Sequence, residues 1–123
     1  MSVSSDDILE VAKRLMLDAG EAFSRAAIGR SYYAAFHEAR ETVGRLSLIA
    51  PTSARGGAHE RLISAFEGQG KGLSKFATRL RARKLARQKA DYDVHEQITA
   101  EEAAFQLRHC EQLMNDLKRL ASS

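Results

Sequence analysis

Arg30-Ser31-Tyr32-Tyr33-Ala34-Ala35-Phe36-His37-Glu38-Ala39-Arg40 is the most informative run in this chain, and no Gly or Pro occurs from Ser31 to Val43. Its residues are strong or neutral helix formers, so the run predicts a helix. At ~3.6 residues per turn, positions seven apart return to nearly the same face, which puts Arg30 and His37 side by side on it. A guanidinium that keeps its charge then accompanies an imidazole that titrates near neutrality. Such a pair suits a phosphodiester: His37 moves a proton while Arg30 stabilises the charge developing on phosphorus. The plainer alternative is a packed pair, with His37 hydrogen-bonded and Arg30 held by Glu21 or Asp91. Tyr32 and Tyr33 read as core aromatics or as stacking platforms for bases.

This helix is expected from about Glu21 to Val43. Ala22, Ala26, Tyr33 and Phe36 lie on one side, and Ile28, Tyr32, Ala35 and Ala39 on an adjoining strip. Apolar over so much of its circumference, it belongs at the centre of a bundle. Upstream, Ser4 or Ser5 with Asp6 and Asp7 opens a first helix. Ile8, Ala12, Leu15, Met16 and Ala19 should face the core, and Gly20 ends or bends that helix.

Downstream, Leu46 to Ala58 contains Pro51, Gly56 and Gly57 and reads as a loop. A short helix with Leu62, Ile63 and Phe66 follows, then a mobile connection at Gly68, Gly70 and Gly72. The next helix, about Leu73 to Ala90, carries Leu73, Phe76, Ala77 and Leu80. That stripe continues to Arg87, whose spacing from Asp91 suggests an i,i+4 ion pair. Thr99 and Glu102 form a capping box before the last helix, where Ala103, Leu107, Cys110, Leu113 or Met114, Leu117 and Leu120 face inward. No strand-like alternation is convincing. The expectation is an all-α, up-and-down bundle of four to five helices, a single domain over residues 1–123.

Several classes of function lose support at this stage. Met1 to Asp7 shows no secretory signal, and no run of about 18 apolar residues spans a membrane. The single cysteine, Cys110, reads as a core thiol in a cytoplasmic protein. Four scattered histidines and no Cys pair propose no metal site, and no phosphate loop or other cofactor motif is present. His59 and His95 read as local caps or exposed side chains, and His109 as a surface residue.

Formal net charge is +3 with a pI near 9.2. Its distribution says more: eight basic residues fall between Lys71 and Lys89, and no acid between Glu67 and Asp91. This run is either a solvated face or an electrostatic footprint for RNA or an acidic protein. In the second case Arg79, Arg83, Lys84 and Arg87 supply phosphate contacts, and Tyr92, where the basic helix ends, reaches a ligand.

Four blocks in order resemble the HEPN domain, a small helical module of prokaryotic toxin–antitoxin and defence systems. Ser24-Arg25-Ala26 through Arg30 to Ala39 resembles the tyrosine-rich second helix of its small stand-alone subgroup, and His59 to Phe66 the third helix. Arg87-Gln88-Lys89-Ala90-Asp91-Tyr92-Asp93 matches an R-x-x-A-D-Y signature, and Ile98 to Ala103 the entry to the last helix. The resemblance implies a metal-independent RNA endonuclease of toxin type, with Arg30 and His37 as its Arg and His, acting as a homodimer. It equally implies a non-catalytic module that partners a small nucleotidyltransferase or an acidic antitoxin. Arg30 and His37 lie ~10.5 Å apart along the helix axis, so a two-fold dimer with antiparallel second helices crossing near Ala34 would pair them between chains.

Overall fold

The computed structural model describes residues 3–122; positions 1, 2 and 123 of the expected domain lie outside the described residues. Among them are five helices and no strand: α1 (Ser5–Leu15), α2 (Glu21–Leu46), α3 (Ala58–Ser64), α4 (Lys71–Tyr92) and α5 (Ala100–Ser122). The all-α expectation holds. α2 packs against each of the other four helices and forms the axis of the bundle.

Local chemistry explains the helix ends. Ser4 caps α1: its hydroxyl accepts the Asp7 N–H at 3.2 Å, and Asp7 accepts the Ser4 N–H at 2.9 Å. α1 stops at Leu15, one turn earlier than the stripe through Ala19 suggests, so Ala19 is exposed. α2 runs on to Leu46 and ends at Ser47, whose φ of 55° lies in the left-handed region. α4 starts two residues before Leu73 and continues through Tyr92, which places Asp91 and Tyr92 in its last turn. Arg25 caps that turn. Its guanidinium donates to the carbonyls of Ala90 at 2.9 Å, Asp93 at 3.1 Å and Glu96, while Glu21 holds the same guanidinium from below at 2.7 Å. A cation at a helix C-terminus also opposes the negative end of the helix dipole.

The main core joins all five helices around Leu9, Ala35, Ile63, Phe66, Leu80, Leu113 and Leu117, and a smaller one gathers Ile28, Ala90, Ile98 and Ala103. Each large side chain fully buried there contributes roughly 1.5–3 kcal/mol. Ala27, Ala34, Ala35 and Ala39 give α2 a nearly flat inner face that lets its neighbours approach closely. Ala22 and Ala26, expected on a core side, are exposed instead: the buried arc of α2 runs through Ser24, Ala27, Ile28, Ser31 and Ala35. Cys110 lies in the core with no exposure, and burial pushes its thiol pKa up to about 12.

Candidate functional site

The outward side of α2 carries a second stripe. Ala26, Arg30, Tyr33, His37 and Arg40 follow one another at helical spacing; Arg30 and Arg40 are exposed, Tyr33 and His37 half-buried. Between Phe23 and Arg40 the only acid is Glu38, and it faces the other way; Glu41, one turn past His37 on the same face, is exposed and stands 3.5 Å from Arg45. Glu38 is buried, accepting from the Ser5 hydroxyl at 2.6 Å and from Arg45 at 3.2 Å. Arg30 is not held by Glu21 or Asp91, because Glu21 pairs with Arg25 and Asp91 with Arg87. His37 sets its ring against the edge of Phe36, with centroids 6.0 Å apart. One chain does not converge Arg30 and His37, which stand two turns apart, ~10.5 Å along the axis.

The basic run of α4 is dispersed by the fold. Arg79 reaches Asp116 on α5 at 2.9 Å, and Lys84 reaches Glu60 on α3 at 2.8 Å. Arg81 bridges Glu60 at 3.3 Å and Glu67 at 2.6 Å. Arg83 donates to the Gln106 side chain at 2.7 Å and lies over the Phe105 ring. Lys89 stands 3.7 Å from Glu102. The hydrogen bond from Lys84, aided by Arg81, holds the Glu60 carboxyl below the usual carboxylate range despite partial burial. Acids from α3, α5 and the connection after α3 thus answer Arg79, Arg81, Lys84 and Lys89, while Lys75 has no acid among the described residues, so the basic run forms neither a fully solvated face nor a continuous footprint.

Arg87 is the most enclosed of these cations, at 7% exposure. Its guanidinium carbon lies 5.5 Å from the centroid of Tyr32, 5.8 Å from Tyr33 and 5.9 Å from Tyr92, with Asp91 at 3.6 Å. Flat, weakly hydrated guanidinium suits such an aromatic box, at about 0.5–2 kcal/mol per ring. Gly29 lies beside the box: a Cβ at that position would touch the Asp91 carboxylate at 3.4 Å, an ordinary van der Waals contact. The R-x-x-A-D-Y signature thus builds a joint between α2 and α4, and Arg87 is turned inward. Tyr92 is 73% exposed, with one side of its ring toward Arg87.

His59 belongs to the same cluster and is neither a cap nor an exposed side chain. Its Nδ1 lies 2.8 Å from the Tyr32 hydroxyl. Its ring stacks on Phe36 at 4.2 Å and on Tyr32 at 5.6 Å, while Tyr32 and Phe36 are 6.1 Å apart. Those lengths put the imidazole beside both rings and not in line between them, and Tyr33 meets it edge-on with centroids 6.1 Å apart. Burial, with Arg87 and Lys84 nearby, pushes the His59 pKa down, and burial pushes the Tyr32 hydroxyl up against the pull of Arg87. These shifts favour a neutral imidazole beside a neutral phenol, and its tautomer sets which of the two groups donates. His95 is exposed, as expected, and His109 is half-buried against Phe105, with centroids 4.0 Å apart.

Of the cations left without an acid, Arg40 and Arg61 line one groove. Arg30 and Arg40 on α2, Arg55 in the following loop and Arg61 on α3 make no ion pair among the described residues. Arg14, Lys75 and Arg108, also without an acid, are spread over α1, α4 and α5. Among the described residues no three His, Cys, Asp or Glu side chains converge as a metal site would require, and no helix is long and apolar enough to cross a membrane. Comparison with protein-family models, characterised proteins and solved structures returns no match to this chain.

Proposed function

We propose that this chain is a metal-independent RNA endonuclease of HEPN type, the toxin of a toxin–antitoxin or defence system. The observation that carries the reading is the outward stripe of α2, which joins a proton-transfer group, His37, to the guanidinium of Arg30, without an ion pair among the described residues. Arg40 and Tyr33 on the same stripe supply a phosphate contact and a ring. His37 takes the proton from a ribose 2′-hydroxyl as its oxygen attacks phosphorus; the bond to the 5′ oxygen breaks, that oxygen takes a proton from water, and His37 returns its proton to the hydroxide left behind. Arg30 stabilises the crowded phosphorane between. General base catalysis is worth roughly 10²–10⁴-fold, and a charge-stabilising donor roughly 10²–10³-fold. The axial separation of the two groups calls for a homodimer in which Arg30 of one chain faces His37 of the other.

The test is cleavage of single-stranded RNA in excess chelator. Arg30→Ala and His37→Ala each abolish it while melting within a few degrees of the parent protein. Normal cleavage by both variants rejects the assignment.

A second reading, a non-catalytic module that binds a nucleotidyltransferase or an acidic antitoxin, has its own support. Leu85, Tyr92 and Val94 are 66%, 73% and 68% exposed around the end of α4. Apolar side chains grouped in this way suit a protein partner.

A further inference from the structure

A slot of about 410 Å³ opens between α4 and α5, over the smaller core. That is within the ~300–1,000 Å³ typical of small-ligand sites. Ile28 and Ile98, both buried, and the partly buried Ala86 make its floor apolar, and the half-exposed ring of Phe105 stands beside them. Arg83 and Gln106 lie at one end. Glu101 and Glu102 lie about one turn from Phe105 and Gln106 along α5, with Lys89 3.7 Å from Glu102.

Arg83 is half-buried, yet it makes no ion pair among the described residues. Gln106, itself 1% exposed, accepts one guanidinium N–H at 2.7 Å and donates to the Arg83 carbonyl at 3.0 Å. The amide fixes the residue from both ends and neutralises none of its charge. Burial holds the Arg83 pKa below that of an ordinary guanidinium, because no carboxylate offsets the lost water. Arg108, also without an acid, lies 5.8 Å from the centroid of the same Phe105 ring, against 5.3 Å for Arg83. Two guanidiniums on one ring make this end of the slot cationic, while acids mark the other. A carboxylate arriving at Arg83 gains a charge-assisted hydrogen bond and breaks no internal ion pair. Glu101 and Glu102 repel it, so the ligand enters in one orientation.

We propose that this slot binds a small hydrophobic carboxylic acid, with its carboxylate on Arg83 and its apolar body over Ile28, Ala86 and Ile98. Neither chemistry at Arg30 and His37 nor a second chain is needed for this. Straight-chain and aromatic acids present the same two features, one negative charge and one apolar body.

The experiment is titration of the full chain with octanoate, read from the isoleucine methyl resonances and from calorimetry. Butanoate, hexanoate, octanol and indole-3-acetate serve as parallel probes. Saturable movement of the Ile28 and Ile98 methyls is expected, while Ile49, exposed in the loop after α2, stays fixed. Affinity should rise by up to about fourfold per methylene from butanoate to octanoate. Octanol should bind about tenfold more weakly than octanoate, the size of one lost charge-assisted hydrogen bond. Arg83→Gln should remove that preference, and Ala86→Met, which fills the slot, should weaken every probe. The octanoate-to-octanol ratio in the parent protein tests the guanidinium even where Arg83→Gln melts early. Tighter binding of indole-3-acetate assigns the slot to flat acids, and tighter binding of octanoate assigns it to chains; either upholds the site. Ile28 and Ile98 methyls that stay fixed at millimolar octanoate, movement shared by Ile49, or octanol binding as tightly as octanoate overturns it. Acid binding by a protein that cleaves nothing keeps the slot and removes the nuclease reading, and cleavage without acid binding does the reverse.

Discussion

The Tyr32 hydroxyl and His59 Nδ1 share a hydrogen bond of 2.8 Å, tying the middle of α2 to the start of α3 through two side chains that both resist ionisation. Tyr32 has no exposed surface, and its ring also faces Arg87, so one residue links three helices.

That link makes stability depend on pH in a defined window. Folded His59 is harder to protonate than its unfolded form, whose pKa is near 6.5, because burial, Arg87 and Lys84 outweigh the opposing pull of Glu60. Unfolding therefore takes up a proton, and stability, complete above about pH 6.5, falls as the pH drops below it. The slope is at most about 1.4 kcal/mol per pH unit for one proton. Denaturant midpoints between pH 7 and 5 should show it, and His59→Gln should reduce it to the share of His109, whose pKa burial and the nearby Arg83, Arg108 and Arg79 also lower. Glu21, Glu60 and Glu67, held low by their arginine and lysine partners, add a separate loss only below their usual value of 4.5. An unchanged slope in the His59 variant would place the coupling elsewhere.

Arg87→Ala should destabilise the protein by about 1–3 kcal/mol, since it empties an aromatic box and leaves a cavity between α2 and α4. Arg87→Lys should recover only part of this, because a compact ammonium cannot face three rings as a flat guanidinium does. Chemical denaturation measures both. A loss below about 0.5 kcal/mol for the alanine variant is the signature of a surface cation and would show the box to be unimportant.

The salt dependence of RNA affinity should separate the two basic regions. Each phosphate neutralised on a single strand contributes about −0.7 to the log–log slope. Gln at Arg30, Arg40 and Arg61 should reduce the slope by roughly that amount per residue. Gln at Arg79, Lys84 and Arg87 should leave it nearly unchanged and lower the melting temperature instead, because those cations answer acids of their own chain. The opposite pattern returns the interface to α4.

Sharing of the site between chains is measured by mixing inactive variants. Arg30→Ala and His37→Ala proteins, unfolded together and refolded, should regain about a quarter of parental cleavage: half of the dimers are mixed, each with one of two sites intact, for random pairing. Mixed dimers confirmed by mass that cleave nothing end the shared-site reading.

Local features were the legible ones. The Ser4 cap, the Thr99 hydroxyl accepting the Glu102 N–H at 3.1 Å, and the Arg87–Asp91 spacing involve residues within a turn of each other. The inward face of α5, from Ala103 through Cys110 to Leu117, was equally readable, because Leu, Met and Cys carry a strong burial signal at helical spacing. Ala22 and Ala26 misled, since alanine fits either side of a helix. The fate of the α4 cations could not be read locally: Arg79 meets an acid 37 positions away and Lys84 one 24 away. His59 left a usable signal, standing three, four and seven residues before Leu62, Ile63 and Phe66, on the inward side of that short helix.

Cys110 gives the molecule a clock. A thiol with no exposed surface and a pKa near 12 is almost free of thiolate at neutral pH, and reagents cannot reach it while α5 stays in place. Labelling of this single sulfur therefore proceeds only at the pace at which the bundle comes apart around it. Any nucleotide, strand or partner that binds the closed form slows that pace, whatever surface it chooses. One reaction at one atom thus counts openings of the whole domain, with no added probe.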